Sequence, residues 1–320
     1  VAGPNTGDLV DGSDQFTGLS AGTHTVHVED GNGCSVTDVD IDVTEPDDIL
    51  HTLSGTNVDC FGNTTGSIEV TTTTGGTAPY EYAIRYNPGG GWGPWSGYQS
   101  STTFSSLAAG NYRIRVRDAN QCIKVKSIAI TEPAVLAVGL DGAITDVACF
   151  GESTGAINID VTGGTGPFTF AWTGPGGFTS SDEDISGLTA GDYNVTVTDA
   201  NLCEVTGGAY TVSEPALALS ISESITDVTC NGGSNGAIDI TVSGGTPGYS
   251  FSWSNTAATE DISGLMAGSY SVTVTDANMC QETGGPYTID EPSAISVTEN
   301  AVVDITCNGD GDGSIDVSVS

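Results

Sequence analysis

Through much of the chain, apolar and polar residues alternate one by one. In Ser67-Ile-Glu-Val-Thr, Ala156-Ile-Asn-Ile-Asp-Val and Tyr193-Asn-Val-Thr-Val-Thr every second side chain is apolar. That period predicts β-strands with one face on a core and the other in water. Clusters of Gly, Asn, Asp and Pro interrupt the runs at roughly 8–12 residues, the spacing of a β-sandwich. No apolar run nears the ~18 residues of a membrane-spanning helix. The pattern therefore predicts an all-β chain of short strands.

The pattern also recurs. Glu-Pro appears at Glu45-Pro46, Glu132-Pro133, Glu214-Pro215 and Glu291-Pro292, with prolines 87, 82 and 77 residues apart. Between them stand the same four words in the same order. Cys-Phe/Asn-Gly-x-x-x-Gly-Ser/Ala-Ile begins at Cys60, Cys149, Cys230 and Cys307. Gly-Gly-Thr follows, leading into alternating aromatics that include Trp172 and Trp253. Leu-x-Ala-Gly-x-Tyr ends at Tyr112, Tyr193 and Tyr270, and Asp-Ala-Asn-x-Cys ends at Cys122, Cys203 and Cys280. Self-similarity of this length marks an array. It predicts a partial copy at 1–46, repeat one at 47–133, repeat two at 134–215, repeat three at 216–292 and a further partial copy at 293–320. The partial copies suggest a segment of a longer array.

The third word reads as a tyrosine corner, in which a Tyr opening the sixth strand bonds back to the preceding loop and fixes a Greek-key crossover. Trp172 and Trp253 fall on the third strand, where immunoglobulin-like folds bury a Trp. The expected fold is a tandem array of Ig-like (PKD- or fibronectin-III-like) Greek-key β-sandwiches. The Glu-Pro joints leave almost no linker, and Pro stiffens its surroundings, so the array is expected to be an elongated rod. Repeat one departs from the pattern, with Ile84 at the Trp position and a longer segment after it. His24 stands at the corner of the first partial copy.

Charge narrows the function. Of 320 residues, 41 are Asp or Glu and 6 are Lys or Arg, a net charge of −35. Nothing in that balance could neutralise a nucleic-acid backbone, and it opposes attachment to an anionic membrane surface. A Gly-rich chain with a mean hydropathy of −0.02 and alternating Val, Ile, Tyr and Phe is nonetheless expected to fold.

Taken together, the four words resemble the SprB-type repeat of gliding-motility adhesins, giant surface proteins of Bacteroidota. The resemblance covers nearly the whole chain. It implies export, through the type IX route, and display at the cell surface, and it brings no catalytic residues with it.

Eight cysteines in an exported array read as disulfides. Zinc is disfavoured because no Cys-x-x-Cys pair exists. Two pairings compete. One lies within repeats: Cys60–Cys122, Cys149–Cys203 and Cys230–Cys280, with Cys34 and Cys307 left unpaired. The other joins sequence neighbours, Cys34–Cys60, Cys122–Cys149, Cys203–Cys230 and Cys280–Cys307, at separations of 26 or 27. Counting strands favours the first. Four strands separate Cys230 from Cys280, and an even number of traversals returns the chain to the end it left.

Two other groups carry candidate chemistry. All six cations lie in repeat one: Arg85, Arg113, Arg115, Arg117, Lys124 and Lys126. Alternation places them on one sheet face beside Trp92 and Trp95 of a Gly-rich insert. This is a candidate docking patch for an acidic repeat of a neighbouring identical chain or for a surface glycan. The competing expectation is local charge balance, with one of these Trp residues filling the place left by Ile84. Asp310, Asp312 and Asp316 are spaced like part of a calcium loop, without its bidentate Glu; turn chemistry accounts for the same residues. No other cofactor is expected.

The sequence thus predicts a non-catalytic structural or adhesive stalk or filament segment of a large exported cell-surface adhesin, linked to gliding motility. Its partners would be other repeats of the same long chain. The alternative is a spacer or glycan-binding array in a large secreted carbohydrate-active protein. A calcium-rigidified adhesin arm is a third reading.

Overall fold

The computed structural model describes residues 16–320. The chain divides into two compact units, Val1–Val135 and Leu136–Ser320. In the first, β1 (Gly22–Val26) and β2 (Val39–Val43) form an antiparallel pair. Six strands follow: β3 (Leu50–Thr56), β4 (Gly66–Thr74), β5 (Glu81–Asn87), β6 (Thr103–Leu107), β7 (Gly110–Arg117) and β8 (Ile123–Ile130). They build two antiparallel sheets, β3-β4-β6 and β5-β7-β8.

The alternation seen in the sequence sorts these strands into faces. On β7, Tyr112, Ile114 and Val116 are buried, while Arg113, Arg115 and Arg117 take the opposite face. With Ile49, Ile68, Val70 and Ile130 they form the core between the sheets.

The second unit repeats the plan. It opens with β9 (Ala137–Leu140), β10 (Gly155–Ile157), β11 (Ile159–Thr162), β12 (Thr169–Thr173), β13 (Thr179–Ser180), β14 (Ile185–Leu188), β15 (Gly191–Thr198) and β16 (Glu204–Val212). Here β12 is the third strand, flanked by β13 and β15, with β16 beyond. Next come β17 (Ser220–Thr226), β18 (Gly236–Ser243), β19 (Ser250–Trp253), β20 (Ile262–Leu265), β21 (Gly268–Thr275) and β22 (Gln281–Ile289), in sheets β17-β18-β20 and β19-β21-β22. A final pair, β23 (Val297–Val303) and β24 (Ser314–Val319), closes the chain. Each run of strands wraps its own core, one around Trp172, Tyr193 and Val197, the next around Trp253, Val274 and Ile289. The fold is an all-β, Ig-like sandwich in Greek-key order.

The tyrosine corners form. Tyr112, Tyr193 and Tyr270 donate their hydroxyls to the carbonyls of Ala108 (2.8 Å), Thr189 (3.0 Å) and Met266 (3.1 Å). His24 reaches the equivalent carbonyl, Ser20, through Nε2 at 2.7 Å. The two Trp residues of the third strands are buried, and each indole donates to a loop carbonyl, Asp182 at 3.0 Å and Thr259 at 2.9 Å.

The two ends of a sandwich are chemically distinct. In repeat three one end, here called lower, gathers Gly236, Leu265, Gly268 and Ile289, which pair Gly236↔Leu265 and Gly268↔Ile289. The upper end gathers the Gly-Gly-Thr and Asp-Ala-Asn words, because Asp276 accepts from the Thr246 amide at 2.8 Å. From the lower end β18 climbs; β19 descends along the upper half of β21, pairing Ser250↔Thr275 to Trp253↔Val272; β20 completes the descent against Gly236–Ile238; and β21 climbs. Because β19 and β20 share one descent, the number of traversals is odd.

Candidate functional site

The recurring words prove to be contact partners. At the upper end a buried Asp binds two segments together. In repeat three the Asp276 carboxylate accepts from the amides of Thr246, Asn278 (2.9 Å) and Cys280 (2.8 Å). Asp118 receives Thr77 and Cys122 in the same way, at 2.9 and 2.8 Å, and those amides, Thr77's foremost, hold its carboxyl below the usual range. At the lower end the Glu of Glu-Pro caps the cysteine turn. Gly62, Gly151 and Gly232 each donate an amide to Glu132, Glu214 and Glu291 at 2.7 Å. The sequence marked these words but not their pairing; their one-to-one copying in every repeat was the available signal.

The cysteine of the first word therefore sits at the lower end and that of the fourth word at the upper end. A bond inside one repeat would have to cross a strand length, against the ~5.5 Å between Cα atoms that a disulfide requires. The structure corrects the expected pairing accordingly. Cys149 of repeat two is bonded to Cys280 of repeat three, with Cα atoms 5.7 Å apart and a sequence separation of 131. Cys122 and Cys230 are exposed free thiols, so Cys60–Cys122, Cys149–Cys203 and Cys230–Cys280 do not form. Cys60 and Cys203 are each disulfide-bonded. The neighbour pairing fails as well. Cys34 and Cys307 are also free.

The staple joins the lower end of repeat two to the upper end of repeat three. Beside it, the Asn278 side chain donates to the Ala148 carbonyl and to Thr246 Oγ1, both at 3.0 Å. A cavity lined by Ala148, Cys149, Phe150, Leu219, Met279 and Cys280 runs along the joint.

Repeat one carries a second feature. Its insert folds back along β5, with Ser96 and Gly93 amides bonded to the Ile84 and Tyr86 carbonyls at 2.8 and 2.9 Å. This lays three rings among the β5 and β7 arginines in alternating order. Trp92 stands 4.4 Å from Arg113 and 5.0 Å from Arg85. Trp95 stands 4.6 Å from Arg85 and 4.5 Å from Arg115. Tyr98 stands 4.4 Å from Arg115 and 3.6 Å from Arg117. Arg117 also pairs with Glu81. The Nε atoms of Arg85, Arg115 and Arg117 are shut off from solvent and meet no acceptor.

The six-cation patch is corrected to four. Lys124 and Lys126 stand opposite Val116 and Ile114 in the ladder and so share the inward face, away from the arginines. Lys124 instead reaches Asp48, 2.9 Å away. Neither Trp92 nor Trp95 enters the core. Tyr86, stacked on Tyr112 at 4.9 Å, packs there beside Ile84.

The three acids spaced like part of a calcium loop take part in turn and strand contacts. Asp312 accepts from the Thr306 amide at 3.1 Å and from its hydroxyl, which holds its carboxyl below the usual range. Asn235 closes the equivalent turn on Thr229, and Thr154 on Ala148. Asp316 lies on β24, paired with Ala301, and the Asp310 amide bonds to Cys307 O. Among the described residues no three His, Cys, Asp or Glu side chains are grouped to hold a metal ion.

The model of the SprB repeat family matches residues 52–89, 142–177, 222–258 and 300–320. No curated protein matches the chain. Among solved structures, the N-terminal eight Ig domains of Down syndrome cell adhesion molecule align over 72% of this chain and 33% of theirs, at 12% identity and a TM-score of 0.29. This chain thus spans about a third of the length of that solved chain. Drosophila OTK extracellular domains 3–5 align over 71% of this chain and 91% of theirs, at 12% identity and a TM-score of 0.26. Chicken CNTN1 FN1–FN3 domains align over 77% and 99%, at 12% and 0.22. At these scores the fold rests on the strand order described above.

Proposed function

Taking the chain as a SprB-type repeat protein, we propose that it is a non-catalytic segment of the stalk of an exported cell-surface adhesin that serves gliding motility. The observation that carries this reading is the bond between Cys149 and Cys280, which ties one repeat to the next. Such bonds persist in oxidising surroundings outside the cytoplasm. A covalent tie between sandwiches resists pulling and contributes nothing to turnover. Each repeat interval would be one folded bead, and the staple would couple neighbouring beads across a Glu-Pro joint.

The arginine–aromatic ladder weighs against the glycan-binding alternative. Sugars stack on free aromatic faces, and each ring of the insert already lies between two guanidinium groups. Lateral docking of a second chain through the outer edges of Arg85, Arg113 and Arg115 fits the same face, since repeats two and three carry acids and no cation.

Antibodies against repeat three test the placement. Intact cells should label, and external protease should remove the label together with surface adhesion and gliding. Labelling that appears only after permeabilisation would refute it.

A further inference from the structure

The joint between repeats two and three has a socket and a plug. The plug is the turn Ala148-Cys149-Phe150. The socket is the upper end of repeat three, where Ala218, Leu219, Cys280, Gln281 and Glu282 line the cavity that the plug closes. The upper end of repeat one has the same socket. There Asp48, Ile49, Cys122, Ile123 and Lys124 line a cavity, at the positions that Ala218, Leu219, Cys280, Gln281 and Glu282 hold in repeat three. Both cysteines are set alike, with amides on the Asp118 and Asp276 carboxylates at 2.8 Å. In repeat one the thiol is free and exposed.

Repeat three presents the matching plug. The Gly233 amide bonds to Cys230 O at 2.9 Å, as the Glu152 amide bonds to Cys149 O at 3.1 Å. The glycine after each cysteine is capped by the Glu of Glu-Pro. Cys230 too is free and exposed.

We propose that the cavity at Cys122 is a docking socket for the Cys-x-Gly turn of another repeat of this kind, sealed by a disulfide. Cys230 is the complementary plug, so that a second copy of this chain docks head to tail through Cys122 and Cys230. Sealing oxidises two thiols to one disulfide. A small-molecule disulfide such as oxidised glutathione takes up the two electrons and both protons and leaves as two thiols. The socket's shape selects the partner; a bare thiol would pair with any other. The inference rests on the Cys149–Cys280 joint alone and stands whether or not the protein is an adhesin.

Two variants of the 320-residue chain test it. One keeps Cys122 as its only unpaired cysteine (Cys34→Ser, Cys230→Ser, Cys307→Ser). The other keeps Cys230 (Cys34→Ser, Cys122→Ser, Cys307→Ser). Neither touches a bonded cysteine, and both should show the parent circular dichroism. They are mixed in equal amounts in a glutathione redox buffer, and dimers are separated without reductant. The mixed dimer should exceed either homodimer by about tenfold at equilibrium, and urea should erase the preference. Mixed and like dimers at the 2:1:1 ratio of random pairing, or no dimer at all, would overturn the proposal.

Discussion

At the scale of single residues, stability rests on polar atoms that each close one loop. Tyr193 is almost wholly buried and its hydroxyl has the Thr189 carbonyl as partner. Tyr193→Phe should cost about 1 kcal/mol and lower the melting temperature of that sandwich by about 4–8 °C in a thermal melt. His51 is buried, and its Nε2 has no partner. Burial pushes its imidazole down, and the Lys126 charge adds to this. The folded state therefore binds the proton less well than the unfolded chain does. Stability is complete above the ordinary value of 6.5 and is lost as pH falls below it. Exposed His27, raised by its bond to Asp38, acts in the opposite sense. Melting of the first unit should drop between pH 8 and pH 5.5, and His51→Gln should flatten that drop.

These residue roles were unevenly legible. The tyrosine corners and buried Trp residues could be read because a single side chain at a fixed offset does the work. Asp276 and Glu291 could not, because their amide partners lie 30 and 59 residues away in sequence.

At the scale of elements, alternation located the strands well. The four strands expected between Cys230 and Cys280 are found there, as Gly236–Ser243, Ser250–Trp253, Ile262–Leu265 and Gly268–Thr275. Direction was harder to read. Periodicity does not show that β19 and β20 share one descent, yet this decides which end of the sandwich each cysteine occupies. Facing failed for a similar reason. Lys124 and Lys126 alternate with Val125 as the arginines alternate with Ile114 and Val116. Only the register, Ile114 against Lys126, shows that the two sets look opposite ways.

The ladder of rings and guanidiniums also belongs to this scale. Arg115 contacts both Trp95 and Tyr98, and such contacts contribute ~0.5–2 kcal/mol each. Arg115→Ala should lower the melting temperature of the first unit, and Arg115→Lys should recover little of it, because an ammonium cannot stack as a plane does. Equal melting of Arg115→Lys and the parent would count against the ladder as a stabilising element.

At the scale of the molecule, charge and covalent topology act together. After Lys126 the chain has no Lys or Arg, so trypsin should leave residues 127–320 in one piece even when denatured and reduced. The Cys149–Cys280 bond closes a loop of 131 residues, and in the chain-entropy model such a closure stabilises by about 5 kcal/mol. Replacing both cysteines by Ser should make the second unit melt lower and more broadly, as its sandwiches lose their tie. Sequence could not show this bond. Constant spacing is a property of words, whereas a staple depends on which end of which neighbour each word reaches.

The most direct measurement is to pull the second unit between handles at Gly142 and Ser293, first oxidised and then reduced. With the staple intact, the stretch from Cys149 to Cys280, a sequence separation of 131, is withheld from the load. The fully stretched length should then be about 450 Å shorter than in the reduced chain, at ~3.4 Å per residue. Equal lengths in the two states would contradict the account.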